Sequence, residues 1–330
     1  MPSAQVFIST DVEFNGETPA PDLLTQAGFQ VHCQTGTKGW PNEETRARLP
    51  GVDAFLAGGE YFNAETLDQA DRLKIIARNG VGYDRIDLDL CTQRGIIVTN
   101  TPGAMADAVA DEALALMLAL IRHLLPGDRT VKAGGYDVPV GEDLAAMTLG
   151  LVGCGLIGSE VARRAAAFKM RILVHDPWAD ADTVAALGAE LVALDQLLAQ
   201  SHVVSLHTPL TDANAGMVDG AFLQAMPRGS FLINTARGGL VDEAALISAL
   251  QSGHLAGAGL DCQASEPPQG LSLELVRLDQ VLAMPHSASK TLTARRRMSL
   301  VAAQGIAQCL QGKVPDHVVN KAVLDNLSLT

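Results

Sequence analysis

Three glycines and an acid, and far downstream an arginine, a glutamate and a histidine, are the residues whose types and spacing suit them to chemistry. Gly153, Gly155 and Gly158 stand in the stretch GCGLIG, after the apolar run Leu149 to Val152 and before a helical pattern. A strand that turns through such glycines lets a pyrophosphate lie against bare backbone. Gly153 permits the reversal, Gly155 has no Cβ to block the ligand, and Gly158 lets the helix lie close to the strand. Leu156 and Ile157 then open a helix whose first N–H groups and dipole face the phosphates. A second apolar strand, Arg171 to Val174, leads to Asp176, eighteen residues beyond Gly158, where a carboxylate can accept hydrogen bonds from an adenosine ribose. No arginine follows to receive a 2′-phosphate, since Pro177 and Trp178 come next, and the pattern points to NAD. A glycine hexapeptide alone is also an ordinary loop; the strand, the helix and the acid give it meaning.

Chemistry beside a nicotinamide needs a clamp for the substrate, a group that moves a proton, and something to orient that group. Arg237 suits the clamp, because a guanidinium grips a carboxylate with two parallel hydrogen bonds. It follows the apolar run Gly229 to Ile233 and lies between Ala236 and Gly238, which leave room for a ligand. His286, one of eight histidines, follows the run Val281 to Ala283 and precedes the small residues Ser287, Ala288 and Ser289. Glu266 stands five residues after Asp261, ahead of two prolines, and a carboxylate there can fix the imidazole tautomer. His207, with Thr208 and Pro209, also ends an apolar run, Val203 to Leu206, and suits the adenosine side of a cofactor. A surface arginine by a turn and a solvated glutamate are the plainer alternatives for Arg237 and Glu266.

All these residues follow apolar runs, and the elements that must position them are parallel strands alternating with helices. In such sheets ligands bind at the carboxyl ends of the strands. An earlier series alternates in the same way. Strands are expected at Val6 to Ser9, Gln30 to Cys33, Ala54 to Ala57, Lys74 to Ala77 and Arg94 to Asn100, with helices at Pro21 to Ala27, Glu43 to Leu49 and Ala64 to Ala70. The first hundred residues therefore form a sheet of their own. The segment Arg78, Asn79, Gly80, Val81, Gly82 follows a strand, and its successive N–H groups suit a carboxylate, with Arg78 or Arg85 adding charge; an ordinary turn uses the same glycines. A helix is expected from Ala106 to Leu125 and an irregular, polar arm from Pro126 to Asp143, of a kind that packs on a second subunit. Arg295 to Gln311 reads as a terminal helix, with Lys313 to Asn320 returning to the first sheet.

With 330 residues, of which 48% are apolar, the chain has material for two cores. Its net charge of −13 speaks against nucleic acid and anionic membrane surfaces as partners. The N-terminal MPSAQVFISTDVEF lacks the basic region of a secretory signal, and the apolar stretch Ala113 to Ile121 is too short to span a bilayer. Five cysteines without CxxC spacing suggest neither disulfides nor a metal site, and a reducing cytoplasm is expected.

Taken together, the glycine turn, Asp176, HTPL at 207 to 210, NTARGG at 234 to 239, DCQASEPP at 261 to 268 and PHSAS at 285 to 289 resemble the D-isomer-specific 2-hydroxyacid dehydrogenases along essentially the whole chain. RNGVGYD and the closing VPDHVVN are most similar to the phosphoglycerate dehydrogenase-like branch. The resemblance implies an α/β protein with two Rossmann-like or flavodoxin-like domains built on parallel sheets. A nucleotide domain, 102–289, would be inserted into a substrate domain, 1–101 plus 290–330. It further implies a homodimer through the nucleotide domain, NAD as cofactor, and Arg237, Glu266 and His286 as the catalytic set acting on a small 2-hydroxy or 2-oxo acid. Gly153, Gly155, Leu156, Ile157, Gly158, Asp176, His207, Thr208, Pro209, Thr235, Ala236, Asp261, His286 and Ala288 would line the cofactor, with Asp261 toward the nicotinamide amide. The loop from Arg78 to Gly82, with Arg237, would take the substrate carboxylate. There are departures: Leu156 stands where most members have arginine, and the stretch AGGEYFN, Ala57 to Asn63, lacks the basic residue usual in phosphoglycerate dehydrogenases. Non-catalytic NADH-sensing corepressors share the scheme, as do dehydrogenases of an oxyanion such as phosphite.

Overall fold

The computed structural model describes residues 3–9, 18–34 and 42–327; Asp11 and Glu13, which make the N-terminal stretch acidic, lie outside them. The chain divides into two compact units, Met1–Met105 with Thr291–Thr330, and Ala106–Lys290. The first begins with β1 (Gln5–Ile8), α1 (Ala20–Gln26), β2 (Gln30–Cys33), α2 (Asn42–Arg48), β3 (Ala54–Ala57), α3 (Ala64–Leu67), β4 (Ile75–Arg78), α4 (Leu88–Gln93) and β5 (Ile97–Thr99). Its strands lie in the order β2-β1-β3-β4-β5, all parallel. Residues alternate between two apolar layers: Val6, Ile8, Ala54 and Leu56 enter one, Phe7, Phe55, Ala57 and Phe62 the other. Both faces of the inner strands are covered, which is why they read as unbroken apolar runs.

The second unit holds α5 (Ala106–Ile121), α6 (Leu124–Lys132), β6 (Thr148–Val152), α7 (Leu156–Ala167), β7 (Arg171–His175), α8 (Ala181–Ala186), β8 (Glu190–Leu191), α9 (Leu194–Gln200), β9 (Val203–Leu206), α10 (Gly220–Ala225), β10 (Ser230–Asn234), α11 (Glu243–Gln251), β11 (Leu255–Leu260), α12 (Leu271–Val276) and β12 (Val281–Ala283). The strand order is β12-β11-β10-β9-β6-β7-β8, again parallel. Leu149, Leu151, Ile172, Val174 and Ile233 pack with α5 and α7 on one face. Val152, Leu173, Val204, Leu232 and Leu260 pack with residues of α9, α10 and α11 on the other. The strand order reverses between β6 and β9, a point at which open α/β sheets bind ligands.

α13 (Leu292–Leu310) returns to the first unit, where Ser299 Oγ accepts a hydrogen bond from the Ala20 N–H, 3.2 Å. Val318 then bridges Thr99, and the Asn320 side chain, 7% exposed, is locked among β-strand and helix ends. Its Oδ1 accepts from Val98 N–H at 2.8 Å, and its Nδ2 donates to Ile96 O at 2.9 Å and Thr92 Oγ1 at 3.0 Å.

The structure departs from the sequence reading mainly in helices. The long helix expected to reach Leu125 stops at Ile121, because His123 adopts a left-handed φ of 51°. A new helix, α6, then carries the chain to Lys132, so the arm expected to be irregular from Pro126 is helical in its first part; Pro126 sits in the opening turn, where no intrahelical N–H bond is lost. α4, α10 and α12 were not foreseen. Each has six residues, too few for an apolar period to show.

Because Asn320 satisfies two buried backbone groups and the half-buried Thr92 hydroxyl, Asn320→Ala should destabilise the first unit by about 2 kcal/mol. Chemical denaturation followed by hydrogen exchange of β5 measures this, with exchange in β6 and β9 expected to stay unchanged.

Candidate active site

At the end of β6 the chain reverses at Gly153, φ 94°, and a Cβ there would stand 2.6 Å from the His207 carbonyl oxygen, so the β6 and β9 ends can approach only with glycine at this position. Gly155 is different: its φ is ordinary and a Cβ would meet nothing within 4 Å. The protein itself does not need that space, which fits a ligand lying against the backbone. Gly155 caps α7 without a side-chain hydrogen bond, so the first N–H groups of this helix point outward as an anion site. Ile157 packs against the core below, whereas Leu156 exposes 58% of its surface.

Asp176 follows β7 directly. Its Oδ2 accepts from the Cys154 N–H at 2.8 Å and its Oδ1 from the Trp178 N–H at 2.9 Å, which ties the acid to the glycine turn. His207 follows β9, with Nε2 2.8 Å from Ser205 Oγ, and burial pushes its imidazole down to about 4. The ring is therefore neutral near pH 7. Thr208 and Pro209 continue this edge, and Asn214 Nδ2 donates to the Pro209 carbonyl at 2.8 Å. Thr235, just past β10, has a buried Oγ1 without a hydrogen-bond partner. An open glycine, bare helix N–H groups and an orphaned hydroxyl at neighbouring strand ends are features that a dinucleotide satisfies.

Arg237, Glu266 and His286 follow β10, β11 and β12, three adjacent strands in which Asn234 pairs with Leu260 and Leu260 with Ala283. The Asn234 side chain shapes the first turn: Oδ1 accepts from Ala236 N–H at 3.0 Å and Nδ2 donates to the Arg237 carbonyl at 2.8 Å. A Cβ on Gly238 would overlap the Gln263 carbonyl carbon, so the Arg237 turn lies directly on the segment leading to Glu266. His286 Nδ1 is 2.9 Å from both carboxylate oxygens of Glu266. Glu266 thereby occupies Nδ1 and leaves Nε2 outside the pair. The imidazole side chain is 45% exposed and Glu266 26%.

His286 has φ 51°, a conformation that L side chains rarely adopt. What holds it is Asp261, 1% exposed, whose Oδ1 accepts from Ser287 N–H at 2.7 Å and Oδ2 from Ala288 N–H at 2.9 Å. Burial holds the Asp261 carboxyl above the usual carboxylate range, an effect that these two amides and the nearby His286 offset only in part. Both oxygens of Asp261 thus serve the loop that bears the histidine, a role the sequence reading did not give it. The signal for Asn234, an Asn side chain suited to fold back on the turn that follows it, lies in NTARGG.

Residues 114–288 match the NAD binding domain of the D-isomer specific 2-hydroxyacid dehydrogenases. The D-3-phosphoglycerate dehydrogenase of Archaeoglobus fulgidus is 36% identical over 304 residues, 91% of this chain but 57% of that one, so the chain spans little more than half of that relative. The glyoxylate reductase of Thermofilum pendens is 39% identical over 300 residues, 87% of this chain and 88% of its own. The chain belongs to the D-isomer specific 2-hydroxyacid dehydrogenase family. A solved D-lactate dehydrogenase from Aquifex aeolicus, complexed with NAD and lactic acid, is 28% identical with a TM-score of 0.81 and 98% of each chain covered. This dehydrogenase is an oxidoreductase, and its cofactor is NAD.

In the first unit of the dehydrogenase, Arg78 closes β4 and its guanidinium bonds to the Asn79 carbonyl. Asn79 N–H donates to Ala57 O at 2.8 Å, Thr101 N–H to Gly80 O at 3.0 Å, and Asn100 Nδ2 to Val81 O at 2.9 Å, which together fix the loop through Gly82. Asn79 Oδ1 and Thr101 Oγ1 are buried without partners, so this edge also carries unused polar atoms. Arg85, the other cation near the loop in sequence, is engaged elsewhere: it donates to Gly59 O at 2.7 Å and lies over the Tyr61 ring at 4.9 Å. Among the described residues no cluster suited to a metal ion occurs, and no helix is long and apolar enough to cross a membrane.

Two outcomes follow from the cofactor side. Leu156→Arg should tighten NADH binding by about two- to fivefold, the worth of one exposed ion pair, read by fluorescence titration. Free imidazole titrates near 6.5 and folded His207 near 4; the folded state therefore binds fewer protons between these values. Stability should fall as pH drops through 6.5 and level off below about 4, by roughly 3 kcal/mol in total, and His207→Gln should flatten that part of the curve in denaturant titrations.

Proposed function

We propose that this dehydrogenase interconverts a small D-2-hydroxy acid and its 2-oxo acid, of the glyoxylate or hydroxypyruvate kind, with His286 as the acid and base. The observation that carries the reading is the His286–Glu266 pair, with Nδ1 at 2.9 Å from both oxygens and its partner nitrogen left for a ligand, beside the Arg237 turn. The hydride for the carbonyl carbon is what NADH supplies when bound. Protonated His286 gives its Nε2 proton to the carbonyl oxygen, and in the reverse direction takes it from the hydroxyl. Glu266 holds the ring and favours the imidazolium before transfer. Arg237 grips the substrate carboxylate, and the Arg78 to Gly82 loop is given a share of that charge. Asp176 receives the adenosine ribose, and Thr235 Oγ1 finds its hydrogen bond on the bound dinucleotide. Ala57 and its neighbours to Asn63 bring no Lys or Arg, which favours an unphosphorylated substrate.

The same reading makes Ala106–Lys290 the cofactor domain and the remainder the substrate domain. It places a homodimer contact on the segment after α5, where Leu124, Leu125, Val131, Tyr136 and Val140 expose 46% to 96% of their surface. The five free thiols suit a reducing cytoplasm.

NADH oxidation with a panel of 2-oxo acids is the test, and an inert panel would favour an NADH sensor; phosphite with NAD probes the oxyanion alternative. His286→Ala should lower kcat at least about a hundredfold, and near-normal turnover would remove it from proton transfer. Arg237→Lys should raise KM far more than it lowers kcat. An unchanged KM would count against the clamp.

A further inference from the structure

Glu266 lies in the stretch between β11 and α12, which has neither helix nor strand, yet its carboxylate must stay aligned with His286. The residues immediately before it are fixed from below by a side chain to which neither the sequence motifs nor the proton-transfer scheme assigns a task. Glu243, the first residue of α11, is 8% exposed. Its Oε1 accepts from the Ala264 N–H at 3.0 Å, and Ser272 Oγ, 2% exposed, lies 2.9 Å from Oε1 and 2.7 Å from Oε2. Ser272 Oγ in turn accepts from the Ser265 N–H at 3.1 Å. Two consecutive amides leading into Glu266 are thus tied, one directly and one through a hydroxyl, to one buried carboxylate. Capping does not explain Glu243, since Asp242 already accepts from the Ala244 and Ala245 N–H groups at 3.0 and 3.1 Å. A buried carboxylate is costly unless its hydrogen bonds are filled, and here they are filled by the Glu266 segment and α12.

We infer that Glu243, acting through Ser272, is a positioning residue that holds the Glu266 carboxylate against the His286 imidazole. The inference rests on the reading of His286 and Glu266 as the proton-transfer pair. Loss of the tie lets the peptides at Ala264 and Ser265 rotate, and a displacement of about 1 Å at a catalytic group lowers turnover by up to about a hundredfold.

The test uses Glu243→Gln and the smaller change Ser272→Ala in the full-length protein. In the ligand-free state, hydrogen exchange at residues 263–266 should quicken at least about tenfold while β10 and β11 keep their protection. With NADH and the best 2-oxo acid from the panel, kcat should fall about tenfold with the NADH dissociation constant unchanged. In a Glu266→Ala background that loss should shrink below about twofold, because the group being positioned is already gone. Unaltered exchange in both variants, or the same tenfold loss with and without Glu266, overturns the inference. If instead His286→Ala retains turnover, the proton-transfer reading itself fails; the exchange experiment, which needs no turnover, still decides whether Glu243 holds the segment.

Discussion

Parallel strand direction is the constraint from which the site follows. When β10, β11 and β12 lie side by side in register, every chain leaves the sheet at the same edge, and side chains as distant in sequence as Arg237, Glu266 and His286 emerge there together. The apolar layers on either face, Leu149 to Ile233 on one and Val152 to Leu260 on the other, hold that direction in place. At the edge itself the ladder ends, and its N–H and carbonyl groups need new partners. Three buried polar side chains supply them: Asn234 for the Arg237 turn, Asp261 for the residues after His286, and Glu243 for the residues before Glu266. Each of these three side chains therefore stands on a loop that is irregular in conformation but tied at a defined point.

The energies at His286 show which effect wins. A left-handed conformation costs an L residue about 1–2 kcal/mol, and nothing in the local sequence Pro285–Ser287 relieves it. Against that stand two hydrogen bonds from consecutive amides to an almost fully buried carboxylate, each worth about 1.5–3 kcal/mol. The tie exceeds the strain, so the ring is held where Glu266 meets Nδ1 without help from a ligand. The opposing tendency is visible in Asp261 itself, where burial favours the neutral form while the amides and the imidazole favour the charged one.

Inner strands were legible in the sequence because they are apolar on both faces: Ala54 to Ala57 and Val203 to Leu206 read off residue for residue, as did the more exposed edge strands Gln30 to Cys33 and Val281 to Ala283 from the alternation around them. The glycine turn was legible because steric demand restricts Gly153 to one residue type. Helices of six residues were not, because they lack two full turns of pattern, and the break at His123 carries no glycine or proline to announce it. The anchors were hidden for a different reason. Asp261 meets its amides some 26 residues along the chain, and Glu243 meets Ser272 29 residues along. Such pairings depend on the finished sheet. A lone Asp after a strand, or a Glu opening a helix, looks the same whether it faces water or a loop.

Charge raises a last question, since a chain of net −13 binds a dinucleotide and, on the proposed reading, an anionic acid. Exposed charges more than about 8 Å away are screened in physiological salt, so the overall sign governs solubility more than the site. At the strand ends the molecule instead offers the N–H groups at the start of α7 and the guanidinium of Arg237, and it keeps His207 neutral by burial rather than by pairing. The acid beside the glycine turn, Asp176, is itself engaged by the Cys154 and Trp178 amides, which spread its charge over the backbone. Its remaining lone pairs suit hydroxyl donors and would repel a further phosphate. The preference for NAD and the tolerance of a strongly acidic surface thus have the same origin: recognition at short range by directed hydrogen bonds, with little reliance on the field of the protein as a whole.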